Sequence, residues 1–88
     1  MDFEWDPNKA RRNKAKHGVT FEEGTEVFGD QHSSTVADPD HSDDEERFLI
    51  FGRTRRGRYA VVAFTEIDER IRLISRQMTR REREAYEQ

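Results

Sequence analysis

The chain has 88 residues, 32% hydrophobic and 40% charged, which allows one small domain with a thin core, because a chain this short buries only about 60–65% of its unfolded surface. There is no cysteine, which excludes a disulfide framework and a thiolate metal site. The charged N-terminus has no apolar signal stretch and no apolar run approaches a membrane span, so a soluble, cytoplasmic protein with no membrane partner is expected.

The net charge of −3 conceals an asymmetry: 5 basic and 13 acidic residues lie up to Glu46, but 11 arginines against 6 acids follow from Arg47. Arginine is suited to bidentate phosphate contacts, so an arginine-rich half beside an acidic one fits a nucleic-acid-facing surface; a merely solvated face is the alternative.

Phe3 and Trp5 alternate in an opening stretch suited to an edge strand or an anchor. Asp6-Pro7 predicts a helix start, with Asp as N-cap and Pro in the first turn, and Gly18 predicts its end. Lys9, Asn13 and Lys16 fall on one face of this helix, with Arg12 beside them. A second helix is expected from Thr20, with Glu23 completing a capping box and Phe21, Gly24, Val27 and Phe28 forming its apolar stripe to Gly29-Asp30. Ser34 to Ala37 suits a short strand, and 38–46 reads as an acidic loop. His32 and His41 do not have the spacing of a metal site, and no metal or other cofactor is expected.

The organising stretch runs from Arg47 to Gln77. Its segments Arg47–Thr54, Arg58–Thr65 and Arg70–Arg76 are rich in β-branched and aromatic residues and are joined by short links, with Gly57 supplying a positive φ. Short links require antiparallel pairing. A closing helix from Arg80 to about Glu87, capped by Thr79 and Glu82, completes an α+β domain over 1–88: two N-terminal helices, an antiparallel meander of three to four strands with a possible N-terminal edge strand, and a C-terminal helix. Strand alternation assigns Arg70, Arg72 and Arg76 to one face, either a phosphate-binding stripe or a solvated outer surface.

Phe3-Glu4-Trp5-Asp6, Lys9, Asn13, Lys16-His17-Gly18 with Phe21 and Phe28, Glu45-Glu46-Arg47, Gly52-Arg53, Gly57-Arg58, Arg70-Ile71-Arg72-Leu73-Ile74-Ser75 and Thr79-Arg80-Arg81-Glu82-Arg83 with Tyr86 together resemble the BrnT toxin family over nearly the whole chain. The resemblance implies a RelE-like fold and a ribonuclease toxin of a type II toxin–antitoxin pair. It also implies a BrnA-type antitoxin partner with a ribbon-helix-helix domain, through which alone the complex meets operator DNA. The chain departs from the family pattern in two ways. Gly24 stands where the family has Ala, and the segment from Ile74 to Thr79 is one residue shorter. A one-residue change reverses side-chain faces unless a bulge restores the register.

Metal-independent RNA cleavage needs a base for the 2′-OH, cations for the phosphorane and an acid for the leaving 5′-oxygen. On the resemblance, His17, Lys16, Arg58, Arg72 and Arg76 are the expected catalytic residues, and Lys9, Arg12, Arg70 and Tyr86 the RNA-binding ones. Lys16 and His17 also suit a helix C-terminus, where cations complement the dipole. Two other classes are a non-catalytic antitoxin-binding co-repressor and a protein-interaction domain using the acidic loop.

Overall fold

Asp6 starts the first helix as expected: in a computed structural model that describes residues 1–38 and 46–78, its carboxylate accepts from the Asn8 amide at 2.8 Å. Helix α1 spans Pro7–His17 and stops at Gly18, whose φ of 72° is the left-handed conformation a C-terminal cap requires. Strand β1, Asp2–Glu4, precedes it. Helix α2 is shorter than expected, covering Phe21–Gly24 before the backbone tightens into a 3₁₀ turn over Thr25–Gly29. The Thr25 hydroxyl donates to the Glu22 carbonyl at 2.7 Å, a local bond that competes with α-helical pairing. The tighter turn carries the buried Val27 and the half-buried Phe28 toward the sheet.

The strands are β2 (Ser34–Ala37), β3 (Phe48–Arg53), β4 (Tyr59–Ile67) and β5 (Arg70–Met78). From β2 to β5 they form the expected antiparallel meander. The N-terminal strand adds a correction: β1 joins β5 in parallel, giving a mixed five-stranded sheet in the order β1-β5-β4-β3-β2. The helical region and strands β2 to β4, which all lie between β1 and β5, provide the long connection that a parallel pair needs. The expected helix from Arg80 to Glu87, with Tyr86, lies outside the described residues.

One sheet face packs against the helices. Its buried centre is Phe21, Val27, Ile50, Val62, Phe64 and Leu73. An edge-to-face series from Phe3 through Phe28 to Phe64, with centroids 5.1 and 5.0 Å apart, fastens β1 and the 3₁₀ turn to the sheet. Trp5 meets Phe21 edge-on at 5.9 Å, so it packs into the core margin. Fully burying each such ring contributes about 1.5–3 kcal/mol. The other sheet face carries Phe51 and Val36, which are exposed. Among the described residues, no helix is long and apolar enough to cross a membrane.

Candidate functional site

The arrangement of the arginines is decided by one irregularity in β5. Phe64 pairs with Leu73 and Ala63 pairs with Ser75. Ile74 is therefore an extra residue with no opposite number on β4, the definition of a β-bulge. Beyond it the alternation restarts, and Arg76, opposite Val62, points to the helix side with no exposure at all. The expected stripe of Arg70, Arg72 and Arg76 on one face is thus corrected: simple period-two alternation fails across the bulge.

A buried guanidinium costs several kcal/mol to desolvate unless it is paired and its stem is packed. Arg76 has both. Its Nη2 donates to Glu23 Oε1 at 3.1 Å, and its stem lies over Gly24, where an added Cβ would stand 3.0 Å from Arg76 Cγ and 3.3 Å from Val62 Cγ2. Gly24 therefore leaves the volume that the inward-turned Arg76 occupies. Glu23 forms only half of the expected capping box. Its amide donates to the Thr20 hydroxyl at 3.1 Å, while its carboxylate is turned to Arg76 and to Arg58, the latter at 3.5 Å.

Asn13 belongs to this site although its position among the basic residues of α1 gives little sign of it. It is buried and its carboxamide acts as a substitute peptide group on the edge of β5 that β1 does not reach. It accepts from the Arg76 amide at 3.1 Å and donates to the Arg76 carbonyl at 2.8 Å. The Val19 carbonyl is 3.3 Å from the same Nδ2. Lys9, Arg12 and Lys16 are exposed on α1, and His17 is half-buried at its end.

The turn after His17 and the β3–β4 hairpin tip share a cleft of about 330 Å³, walled by Gly18–Thr20 on one side and Arg56 and Arg58 on the other, with Glu22, Glu23 and Glu26 along α2 and the 3₁₀ turn. The tip is held in shape. The Thr54 amide donates to the Arg58 carbonyl and the Gly57 amide to the Thr54 carbonyl, both at 2.9 Å. Gly57 has a φ of 78°, and the Arg55 amide donates to Glu26 Oε1 at 2.8 Å. Arg53, Arg55, Arg56 and Arg58 thus crowd a hairpin end whose backbone is tied down. Sequence reasoning singled out Arg58 alone of these.

Arg70 and Arg72 stand elsewhere, at the start of β5 on the outer face. Both pair with Glu4 of β1, at 3.0 and 2.8 Å, and each side chain is about half exposed. The structure therefore brings the turn after α1 together with Arg58 and, through Glu23, Arg76, while Lys16 and His17 are not among the residues that line the cleft and Arg70 and Arg72 stand in a separate group. Tyr86 is outside the described residues.

A model of the family "Ribonuclease toxin, BrnT, of type II toxin-antitoxin system" matches residues 5–82. Among solved structures, the crystal structure of the Brucella abortus ribonuclease toxin BrnT matches with a TM-score of 0.66 at 24% identity, covering 90% of this chain and 96% of that one; at that identity the likeness concerns the fold. No curated protein matches the chain. Because the family match extends from Trp5, beside the helix start, to past the end of β5, the chain belongs to the BrnT ribonuclease toxin family of type II toxin–antitoxin systems.

Proposed function

We propose that this chain is an endoribonuclease that cuts RNA without a metal at the cleft between the end of α1 and the β3–β4 hairpin. The observation that carries the reading is the half-buried Arg58, held by Glu23 over the buried Arg76, facing the turn that follows His17 across one cleft. In this reading the RNA supplies the nucleophile. A base, His17 or a neighbour, takes the 2′-OH proton as the 2′-oxygen bonds to phosphorus. The bond from phosphorus to the 5′-oxygen breaks, and that oxygen leaves with a proton from the acid, giving a 2′,3′-cyclic phosphate and a 5′-hydroxyl. Arg58, with Arg56 and Lys16, neutralises charge on the phosphorane. Arg76 acts through Glu23 as a positioning residue. Lys9, Arg12, Arg70 and Arg72 contribute phosphate contacts outside the cleft, the last two while bound to Glu4.

Membership in a type II toxin–antitoxin family implies an antitoxin. We take that partner to be of the BrnA type, with a ribbon-helix-helix domain that connects the complex to operator DNA, in a RelE-like, cytoplasmic system. Inducible expression without the antitoxin tests the enzyme: growth arrest with RNA loss is expected. Arg58→Ala lowers cleavage about 100-fold while the protein stays folded, His17→Ala does likewise, and cleavage persists in EDTA. Intact RNA in the presence of folded protein would instead favour the second reading, an antitoxin-binding co-repressor that no longer cuts. The burial of Arg76 and the engagement of Arg70 and Arg72 by Glu4 leave fewer substrate-facing cations than expected and speak for that alternative.

A further inference from the structure

We propose a second RNA subsite on the other side of the same hairpin end: a pocket that takes one unstacked nucleobase against Phe51 and Arg53. It rests on the reading of the chain as an RNA-binding toxin. The pocket has a volume of about 630 Å³ and is lined by Phe51, Gly52, Arg53, Tyr59 and Ala60 of the sheet and by Asp30, His32 and Ser34 at its edge.

Three observations point to a flat, π-bearing ligand with phosphates attached. Phe51 is 41% exposed, an aromatic side chain on the open sheet face where burial would otherwise be favoured. Arg53 lies over the Tyr59 ring, its guanidinium carbon 4.4 Å from the centroid, and also donates to the Tyr59 hydroxyl. The guanidinium is therefore pre-ordered as a plane. Its second face is suited to stacking, because arginine planes and aromatic rings are the surfaces on which unstacked RNA bases are held.

Spacing supports the same ligand. Phe51 and Arg53 are alternate residues of β3, on one face and about 6.6–6.8 Å apart along the strand. A stacked base is about 3.4 Å thick, so that interval has room for a single ring system against both side chains. The backbone around the pocket is already fixed. Asp30 accepts from the Arg53 amide at 2.7 Å and from the His32 amide at 2.9 Å. Those bonds also occupy the carboxylate, the one acidic group lining the pocket. Arg55 and Arg56 continue from Arg53 along the hairpin tip, where the phosphates flanking the bound base would run toward the cleft at Arg58.

The test is binding of a short 2′-O-methyl RNA oligomer, which the proposed chemistry cannot cut, compared with the same backbone lacking its bases. Fluorescence anisotropy with the purified chain reads both. Wild type is expected to prefer the base-bearing oligomer. Phe51→Ala weakens that oligomer about 10-fold and leaves the abasic one unchanged. Arg53→Lys, which keeps the charge and loses the plane, shows the same selectivity, and both variants retain the circular dichroism of the parent. Equal binding of the two oligomers by wild type, equal losses for both in the variants, or no binding at all would overturn the subsite. So would an unchanged RNA affinity with a weakened antitoxin complex in Phe51→Ala, which would assign the patch to the protein partner. A chain that fails to cut RNA yet separates the two oligomers loses the proposed catalysis and keeps the subsite. One that cuts RNA without separating them does the reverse.

Discussion

At the start of β5, Glu4 holds Arg70 and Arg72; near its other end, Glu23 holds Arg76 and Arg58. The chemistry is the same, one carboxylate between two guanidiniums, but the surroundings differ. Arg70 and Arg72 are 52% and 53% exposed with Glu4 at 24%, whereas Arg76 is fully buried and Glu23 is 11% exposed. Water screens the first group, so it fastens an edge strand and contributes little. The second group lies where unpaired charge is expensive, so its members depend on one another, and its least buried member, Arg58, is held toward a cleft.

Breaking the buried group is expected to have the largest effect. Arg76→Ala leaves a cavity and deprives Glu23 of its buried partner, and should cost about 3–5 kcal/mol in chemical denaturation. Arg76→Met keeps most of the volume and should recover part of that loss. If Arg76→Ala cost no more than an exposed substitution, the contrast between the two ends of β5 would collapse.

A smaller effect sharpens the link between Gly24 and Arg76. Gly24→Ala gains up to about 1 kcal/mol in helix propensity but crowds Arg76 and Val62, where overpacking costs about 1–3 kcal/mol. A net loss near 1 kcal/mol is expected in the parent. In an Arg76→Ala background the same change should become neutral or stabilising. A double-mutant cycle measures that coupling, and strict additivity would separate Gly24 from Arg76.

Glu4→Ala is expected to cost less than about 1 kcal/mol, after allowing for screening of the half-exposed arginines, and less still in high salt. The last prediction concerns a third carboxylate, Asp30. The backbone amide of His32, followed by that of Arg53, holds its carboxyl below the ordinary value of 3.8. A folded-state value below the unfolded one contributes stability that is complete above about pH 3.8 and is lost as acid protonates the folded group. Asp30→Asn should therefore lower the denaturation midpoint at neutral pH, with the difference from the parent shrinking below pH 3.8. A difference constant with pH would exclude charge as the cause.

Much of the candidate site was legible at the level of elements. Asp6-Pro7 and Gly18 bound α1 because capping is a local matter of dihedral angles and nearby donors, and Gly57 marks a hairpin for the same reason. The roles of Glu23 and Asn13 were not legible. Glu23 satisfies the local pattern of a capping box, yet its carboxylate is drawn to Arg76, 53 positions away. Asn13 is spaced like a member of the basic surface of α1, but it pairs with a strand edge 63 positions away.

By itself the sequence determined the bounds of α1, the strands from β2 to β5, how the meander is joined, and that the second half is rich in arginine, because caps, turns and two-residue alternation are written in neighbouring residues. Tertiary structure alone decided the fate of the arginines. One unpaired residue, Ile74, turns Arg76 into the core, and the parallel seat of β1 commits Arg70 and Arg72 to Glu4. A bulge and a strand pairing are properties of two distant segments at once. The face on which a charge emerges therefore depends on a register that no single stretch of the chain contains.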